Sequence, residues 1–423
     1  MTHEAIILRT LFDAALNAAL PDGKFEGRLP PKPKGRTIVL GAGKASARMA
    51  AAFEEAWAKE GGTCEGLVVT RYGHAVPTQS IRIVEAAHPV PDEAGLNAAK
   101  RILSLAHEAG PDDLVVCLIS GGASALLSLP AEGITFADKQ ALNRALLKSG
   151  APIGEMNLVR KSLSAIKGGR LAAAIAPAQT VTYLISDVPG DDPSSIGSGP
   201  TIPERVEPHV ALSILDKYDI DAPQHVVEAI QANVVDNAVE AGIVHMLATP
   251  RMALDAAAAK ARELGVMPLI LGDAIEGEAR EVGRVMAGIA RSVRMHGVPM
   301  AAPCVLLSGG ETTVTVRGEG RGGRNAEFLL ALALSLRGEK GISAIACDTD
   351  GIDGSEDNAG AWFDQTMFAA AEEKDLDLSE YLARNDAYTA FAQLDRLVLT
   401  GPTLTNVNDF RAILIRSCVS SGN

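Results

Sequence analysis

Cysteine, aromatic residues and long apolar runs are all scarce in this chain. Five cysteines, Cys64, Cys117, Cys304, Cys347 and Cys418, are scattered through 423 residues without a CxxC pair. That spacing offers no disulfide framework and fits reduced, buried thiols. Aromatics make up only 4%, too few for a surface that stacks nucleic-acid bases. The formal charge of −13 also argues against nucleic acid as a partner. It leaves room for a small anionic substrate, because a local cluster of Arg, Lys and helix N-termini overrides the net sign. No run of about 18 uncharged apolar residues occurs, so no membrane span is expected. The opening stretch, MTHEAIILRTLFDAALNAAL, reads as an amphipathic helix and lacks the basic start and long apolar core of a signal peptide. The expected location is the cytoplasm. No GxSxG elbow, HExxH helix or metal-type histidine spacing is present, so hydrolase and zinc chemistries lack their residues.

What is present is a repeated pattern. Apolar or β-branched runs end abruptly in loops of Gly, Ser and Asp at TIVLGAGKAS (37–46), LVVCLISGGASA (114–125), VTYLISDVPGDD (181–192), CVLLSGGETT (304–313) and ISAIACDTDGIDG (342–354). Such runs fit strands buried on both faces, and their alternation with helical segments predicts a doubly wound sheet. Ligands of open α/β sheets sit at the carboxyl ends of the strands, where these loops lie. The length calls for two domains, and a boundary near 240–250 gives 1–242 and 243–423. Residues 361–374 read as a helix and 312–317 as a strand. The carboxy-terminal GPTLTNVNDFRAILI is left open to crossing back onto the first domain.

Four loops carry the chemistry. GAGKAS (41–46) follows a strand and opens a helix, but it is not a Walker A loop: Ile38 stands where the first Gly is needed and Ala45 where Ser or Thr is. It is also a defective dinucleotide fingerprint, with Ser46 for the third Gly and Arg71, not an acid, ending the next strand. What remains is a lysine, Lys44, at a helix N-terminus, which suits an anion. In GEGRGGRNAEF (318–328), Arg324 opens a helix whose dipole it opposes, which predicts an anion between guanidinium and helix end. The aspartates of SDVPGDD and CDTDGIDG, Asp187 foremost, follow apolar strands where Mg²⁺ or a substrate hydroxyl would be met. NLVRKSLSAIKGGRLA adds a basic stretch, Arg160, Lys161, Lys167 and Arg170.

In this order, GAGKAS, AAHPVPDEAG, LISGGASALL, NLVRKSLSAIKGGRLA, LISDVPGDDPSSIGSGPT, LSGGETTVTVRGEGRGGRNAEF, DTDGIDGSEDNAGA and GPTLTNVNDF resemble the glycerate 2-kinase family, whose carboxy-terminal part is the MOFRL domain. The resemblance implies two α/β domains, the first Rossmann-like with a mainly parallel sheet and the second smaller, with the active site in the cleft between them. It implies ATP-dependent phosphorylation of D-glycerate at its 2-hydroxyl with Mg²⁺ or another divalent cation, and it maps the catalytic lysine and arginine to Lys44 and Arg324. Asp187 joins them as a catalytic candidate. Phosphate- and substrate-binding candidates are Gly43, Ser46, Ser120, Gly121, Gly122, Arg160, Lys161, Ser308, Gly309, Gly310, Glu311 and Asn325; Asp191 and Asp350 are the metal candidates. Arg160 and Lys161, with the 120–122 turn, are expected to hold the glycerate carboxylate. Ser162 departs from the family pattern, which has histidine after Arg-Lys, and Leu404 stands where a small or polar residue is common. The partners expected are nucleotide and small substrate, with monomer and homodimer both open. Two rivals remain: an NAD(P)H-dependent hydroxypyruvate reductase, and a non-catalytic sugar-phosphate-binding or isomerase-like module.

Overall fold

The computed structural model describes residues 2–204, 207–233 and 240–417. They fold as two compact units, one of Pro21–Leu247 and one joining Met1–Leu20 to Ala248–Asn423.

The first unit is built on six strands: β1 (Thr37–Ala42), β2 (Glu65–Arg71), β3 (Ile81–Ala86), β4 (Leu114–Ile119), β5 (Gln179–Ile185) and β6 (Ile243–Ala248). Their order is β3-β2-β1-β4-β5-β6, with β1 to β5 parallel. This is the Rossmann order, whose switch point lies between β1 and β4. Every residue of β1 and β4 is buried, because helices cover both faces. On one face Ile38, Leu40, Val115 and Cys117 pack with Ile102 and Leu171. Alternate residues point to the other face, where Phe25 stands edge-on to Phe53 and Tyr183 at 5.5 and 4.9 Å between ring centres.

In the second unit the strands are β7 (Met267–Gly272), β8 (Gly277–Glu278), β9 (Cys304–Gly310), β10 (Thr312–Thr313), β11 (Ile342–Asp348), β12 (Gly360–Phe363), β13 (Leu397–Val398) and β14 (Asp409–Ile415). The main sheet runs β13-β12-β11-β14-β9-β7; only β7 and β9 pair in parallel, while β8 and β10 form a separate small ribbon. The helix Arg324–Ser335 is buried nearly all round and belongs to this unit's core.

The boundary expected at 242/243 differs from this structure at both ends. The first helix, His3–Ala19, belongs to the second unit, where it packs on the helix Pro250–Glu263 and on β11 and β14. Its apolar stripe includes Leu8, Leu11 and Phe12, all fully buried, and Phe12 meets Phe410 at 5.8 Å. Residues 243–248 form an edge strand of the first sheet. The carboxy-terminal strand does not cross to the first sheet; it fills the centre of the second, between β11 and β9. Residues 360–363 are a strand, the aromatic Trp362 and Phe363 overriding the alanine-rich helical run that follows at Met367–Glu373. Among the described residues no helix is long and apolar enough to cross a membrane.

Candidate functional site

At the switch point of the first sheet, the loops after β1 and β4 are tied together. Lys44 N–H donates to the Gly121 carbonyl at 2.8 Å, and Ala45 N–H to Ser120 Oγ at 3.0 Å. The Ser46 hydroxyl donates to the carbonyls of Gly43 and Val69 at 2.8 and 2.9 Å. Ser46 and Ser120 are therefore fully buried fasteners between the two loops. Gly43 is likewise a close-approach residue: a Cβ there would sit 2.1 Å from Ser120 Oγ. The outcome of this fastening is a rigidly held Lys44, whose carbonyl also accepts from Thr70 Oγ1 at 3.3 Å. Gly121 makes room for Asp187, since a Cβ on it would lie 2.0 Å from Asp187 Oδ2. Gly122 takes φ +79, and a Cβ there would meet His88 Nε2 at 2.9 Å and Lys44 Cγ at 3.3 Å. Lys44, His88, Asp187 and the 120–122 turn thus converge at the carboxyl ends of β1, β4 and β5.

Of the basic stretch, Lys161 is buried and ion-paired with Glu204. Arg160 is held more loosely, by Asn157 Oδ1 at 3.3 Å, and lines a cavity beside Gly122. Ser162 is buried and donates to the Leu158 carbonyl; the departure from histidine falls in packing and not on the cavity wall.

The second unit carries a buried charge cluster around Arg324. Its Nε meets Asp409 Oδ1 at 2.8 Å, Nη2 meets Asp348 Oδ2 at 2.6 Å, and Nη1 meets Glu311 Oε1 at 3.0 Å. Burial disfavours the guanidinium charge, but Asp409, Asp348 and Glu311 overcome it and raise the pKa. The anion expected at the start of this helix is supplied by the chain itself: Asp353 accepts from Asn325 and Ala326 N–H at 2.9 and 2.8 Å. A carboxylate at those amides satisfies both orphan donors and the dipole. Desolvation raises the Asp353 pKa to about 6 against these two hydrogen bonds. Asn325 is fully buried and donates to Asp409 Oδ1, so it braces the cluster and is not exposed to a ligand. Ser308, Gly309 and Gly310 form the paired end of β9, opposite Arg411, Phe410 and Asp409 of β14. Glu311, half exposed, is the one member of the cluster at the surface. The sequence reading missed Asp409 and Arg411, whose importance arises only when β14 is inserted beside β9.

Among the described residues no group of three or more His, Cys, Asp or Glu is arranged to hold a metal ion. Kinase Mg²⁺ sites commonly use one or two carboxylates plus substrate phosphates. Asp191, partly exposed in the loop after β5, has suitable donor chemistry. Asp350 is 3% exposed and its Oδ1 accepts from Ile352 N–H, so it fits an open metal position poorly.

Two families match the sequence: one described as a domain of unknown function (DUF4147), over residues 7–231, and the MOFRL family, over residues 304–409. A protein of Agrobacterium vitis provisionally named hydroxypyruvate reductase is 55% identical, covering 97% of this chain and 94% of its own. The D-glycerate 2-kinase of Thermotoga maritima is 39% identical over 93% of this chain and 94% of its own. The crystal structure of glycerate kinase from Thermotoga maritima matches with a TM-score of 0.89 at 38% identity, covering 97% of this chain and 98% of that one. With such identity along nearly the full length of both chains, and with the loop of Lys44 and the cluster of Arg324 inside the two matched stretches, this chain belongs to the glycerate 2-kinase family.

Proposed function

We propose that this protein is an ATP-dependent kinase that phosphorylates D-glycerate at the 2-hydroxyl, giving 2-phospho-D-glycerate, in the cytoplasm. The observation that carries the reading is the convergence of Lys44 and Asp187 on the 120–122 turn, at the switch point of the first sheet. Phosphoryl transfer asks a site for positioning and charge neutralisation more than covalent chemistry. Lys44 supplies fixed positive charge for the transferring group, and Asp187 a carboxylate for the hydroxyl proton. Mg²⁺, when bound with the nucleotide, would neutralise phosphate charge, with Asp191 as its protein ligand. Arg324 is kept as a catalytic candidate through its Nη1 edge, where half-exposed Glu311 is its most easily exchanged partner.

An enolase-coupled assay with ATP, Mg²⁺ and D-glycerate, run without phosphoglycerate mutase, tests this. A signal is expected, since enolase accepts only the 2-phosphate; a signal that appears only with mutase would make the enzyme a 3-kinase. Lys44→Ala is expected to lower kcat at least about a hundredfold with little change in thermal stability. Arg324→Ala is a poor probe, because removing one partner of a buried ion pair costs about 3–5 kcal/mol. Arg324→Lys keeps the charge but loses the fork geometry, and should lower kcat while the fold survives.

The reductase reading has one observation in its favour, the provisional name of the Agrobacterium vitis relative. The loop that would take a dinucleotide counts against it. Ser46, in place of the third glycine, spends its hydroxyl on Gly43 and Val69, and β2 ends in Arg71 with no acid for a ribose. NADH fluorescence that shifts on titration with the protein would restore it.

A further inference from the structure

Arg411 places a charge where packing alone selects an apolar side chain. Alternate residues of a strand share a face, so Arg411 lies on the face of β14 that carries Ile413 and Ile415, both members of the apolar core around Phe328. Arg411 is 1% exposed, and its guanidinium carbon stands 5.0 Å from the centre of the Phe328 ring. Its Nη1 donates to the Gly309 carbonyl at 3.2 Å and its Nη2 to Thr312 Oγ1 at 3.1 Å, while its buried Nε has no hydrogen-bond partner. Burial holds its pKa below the ordinary arginine value, against the pull of Asp409. Apolar side chains of similar volume often serve stability as well as a buried ion pair does, so stability is a poor reason for this cation.

The reason lies in how Asp409 is divided. Its Oδ1 accepts from Arg324 Nε at 2.8 Å and from Asn325 Nδ2 at 2.7 Å. Its Oδ2 accepts from Arg411 Nη2 and, at 3.4 Å, from Thr312 N–H. A carboxylate with both oxygens open takes a guanidinium side-on, through Nε and Nη2 together. Here Oδ2 is occupied, and Arg324 sends Nη2 to Asp348 and Nη1 to Glu311. We infer that Arg411 is a positioning residue for Arg324: by occupying Oδ2 of Asp409 it blocks the side-on pair and keeps the Nη1 edge of Arg324 beside half-exposed Glu311. Arg411 acts only through Asp409. What the Nη1 edge does in phosphoryl transfer rests on the kinase reading; the division of Asp409 does not.

Two measurements on the full chain test the inference. The first is NMR of protein carrying isotope-labelled arginine, in which the guanidinium resonances of Arg324 are identified by their loss in Arg324→Lys. They should move in Arg411→Met, as Arg324 swings onto the freed Oδ2, and stay near their wild-type positions in Arg411→Lys, which keeps a cation on that oxygen. The second is a double-mutant cycle on kcat in the enolase-coupled assay. Arg411→Met should lower kcat about tenfold with KM little changed, and Arg411→Lys should retain most of the wild-type rate. Arg411→Met added to Arg324→Lys should cost nothing further, because lysine has no side-on edge to turn. If Arg411→Met does not fold by circular dichroism, Arg411→Gln, which can still donate to the Gly309 carbonyl, replaces it with the same expectations. A folded neutral variant whose Arg324 resonances keep their wild-type positions overturns the inference. So does a loss of kcat by the same factor in the wild-type and Arg324→Lys backgrounds, which is what a merely structural role gives. If wild type is silent in the enolase-coupled assay, the kinase reading falls and the NMR result alone decides the division of Asp409.

Discussion

Asp353 closes the start of the helix Arg324–Ser335 from inside the fold, and its fully buried carboxylate has a folded pKa of about 6. A raised acid pKa means that the folded state holds a proton the unfolded chain has released, so the contribution is favourable at low pH and is lost as pH rises through about 6. The Tm of wild type relative to Asp353→Asn should therefore fall between pH 4 and 7, a trend that thermal melts across that range would read directly. A flat difference would mean that Asp353 titrates as an ordinary carboxylate. Gly121 poses the opposite kind of constraint, of space and not charge. Its alanine variant would place Cβ against Asp187, and overpacking of this kind costs about 1–3 kcal/mol. If Asp187 is the group that meets the hydroxyl proton, Gly121→Ala should also lower kcat by about a hundredfold, far beyond what the loss of stability explains; retained kcat would remove Asp187 from the chemistry. The place of Lys44, in the turn between a buried strand and a helix, was legible from six consecutive residues because that turn is a local pattern. The partners of Arg324 were not: Asp348, Asp409 and Asp353 reach it from segments 24, 85 and about 30 residues away in sequence.

Among the elements, the helix Phe136–Lys148 and the basic stretch after it decide how an acid would be read. Lys139, Asn143 and Arg144 come from that helix, Arg160 and Lys161 from the helix Ile153–Ser162, Lys167 from the turn beyond, and Arg170 from the start of the helix Arg170–Ile175. His88, in the loop after β3, and Ser124, in the short helix Ala123–Leu126 after β4, face the cavity beside Gly122, and Glu204 stands on Lys161. The Lys167 pKa is held down to about 7, by burial first and by Arg160 and Lys161 next. Binding an anion restores the favourable charge, so it should draw a proton onto Lys167. The KM for the acid should then rise as pH climbs above about 7, while Lys167→Arg, charged throughout, should remove that limb of the profile. Initial rates at saturating nucleotide from pH 6 to 9 would show it, and an unchanged limb in the arginine variant would place the titration on another group. The sequence displayed these cations as a run of basic letters; which of them is spent on Glu204 and which is left facing a cavity depends on packing that no periodicity encodes.

At the scale of the whole molecule, the sequence carried the first sheet well, because the buried runs that became β1, β4 and β5, with helical segments between them, leave few topologies for a parallel sheet. The unit boundary was misread because contiguity in sequence is a poor guide when a chain's two ends meet. The first helix and the last strand join one unit, and Phe12 against Phe410 is the contact that fastens them. Both rings are buried, and emptying such a position costs about 3–5 kcal/mol. Phe12→Ala should therefore loosen the second sheet selectively. Hydrogen exchange is the measurement: amides of β11 and β14, which the first helix covers, should lose protection, and those of β1 and β4, in the other unit, should keep theirs. Equal loss in both sheets would mean that the two units unfold as one cooperative body, and the first helix would then have to be counted as a brace for the whole chain instead of a missing piece of its second half.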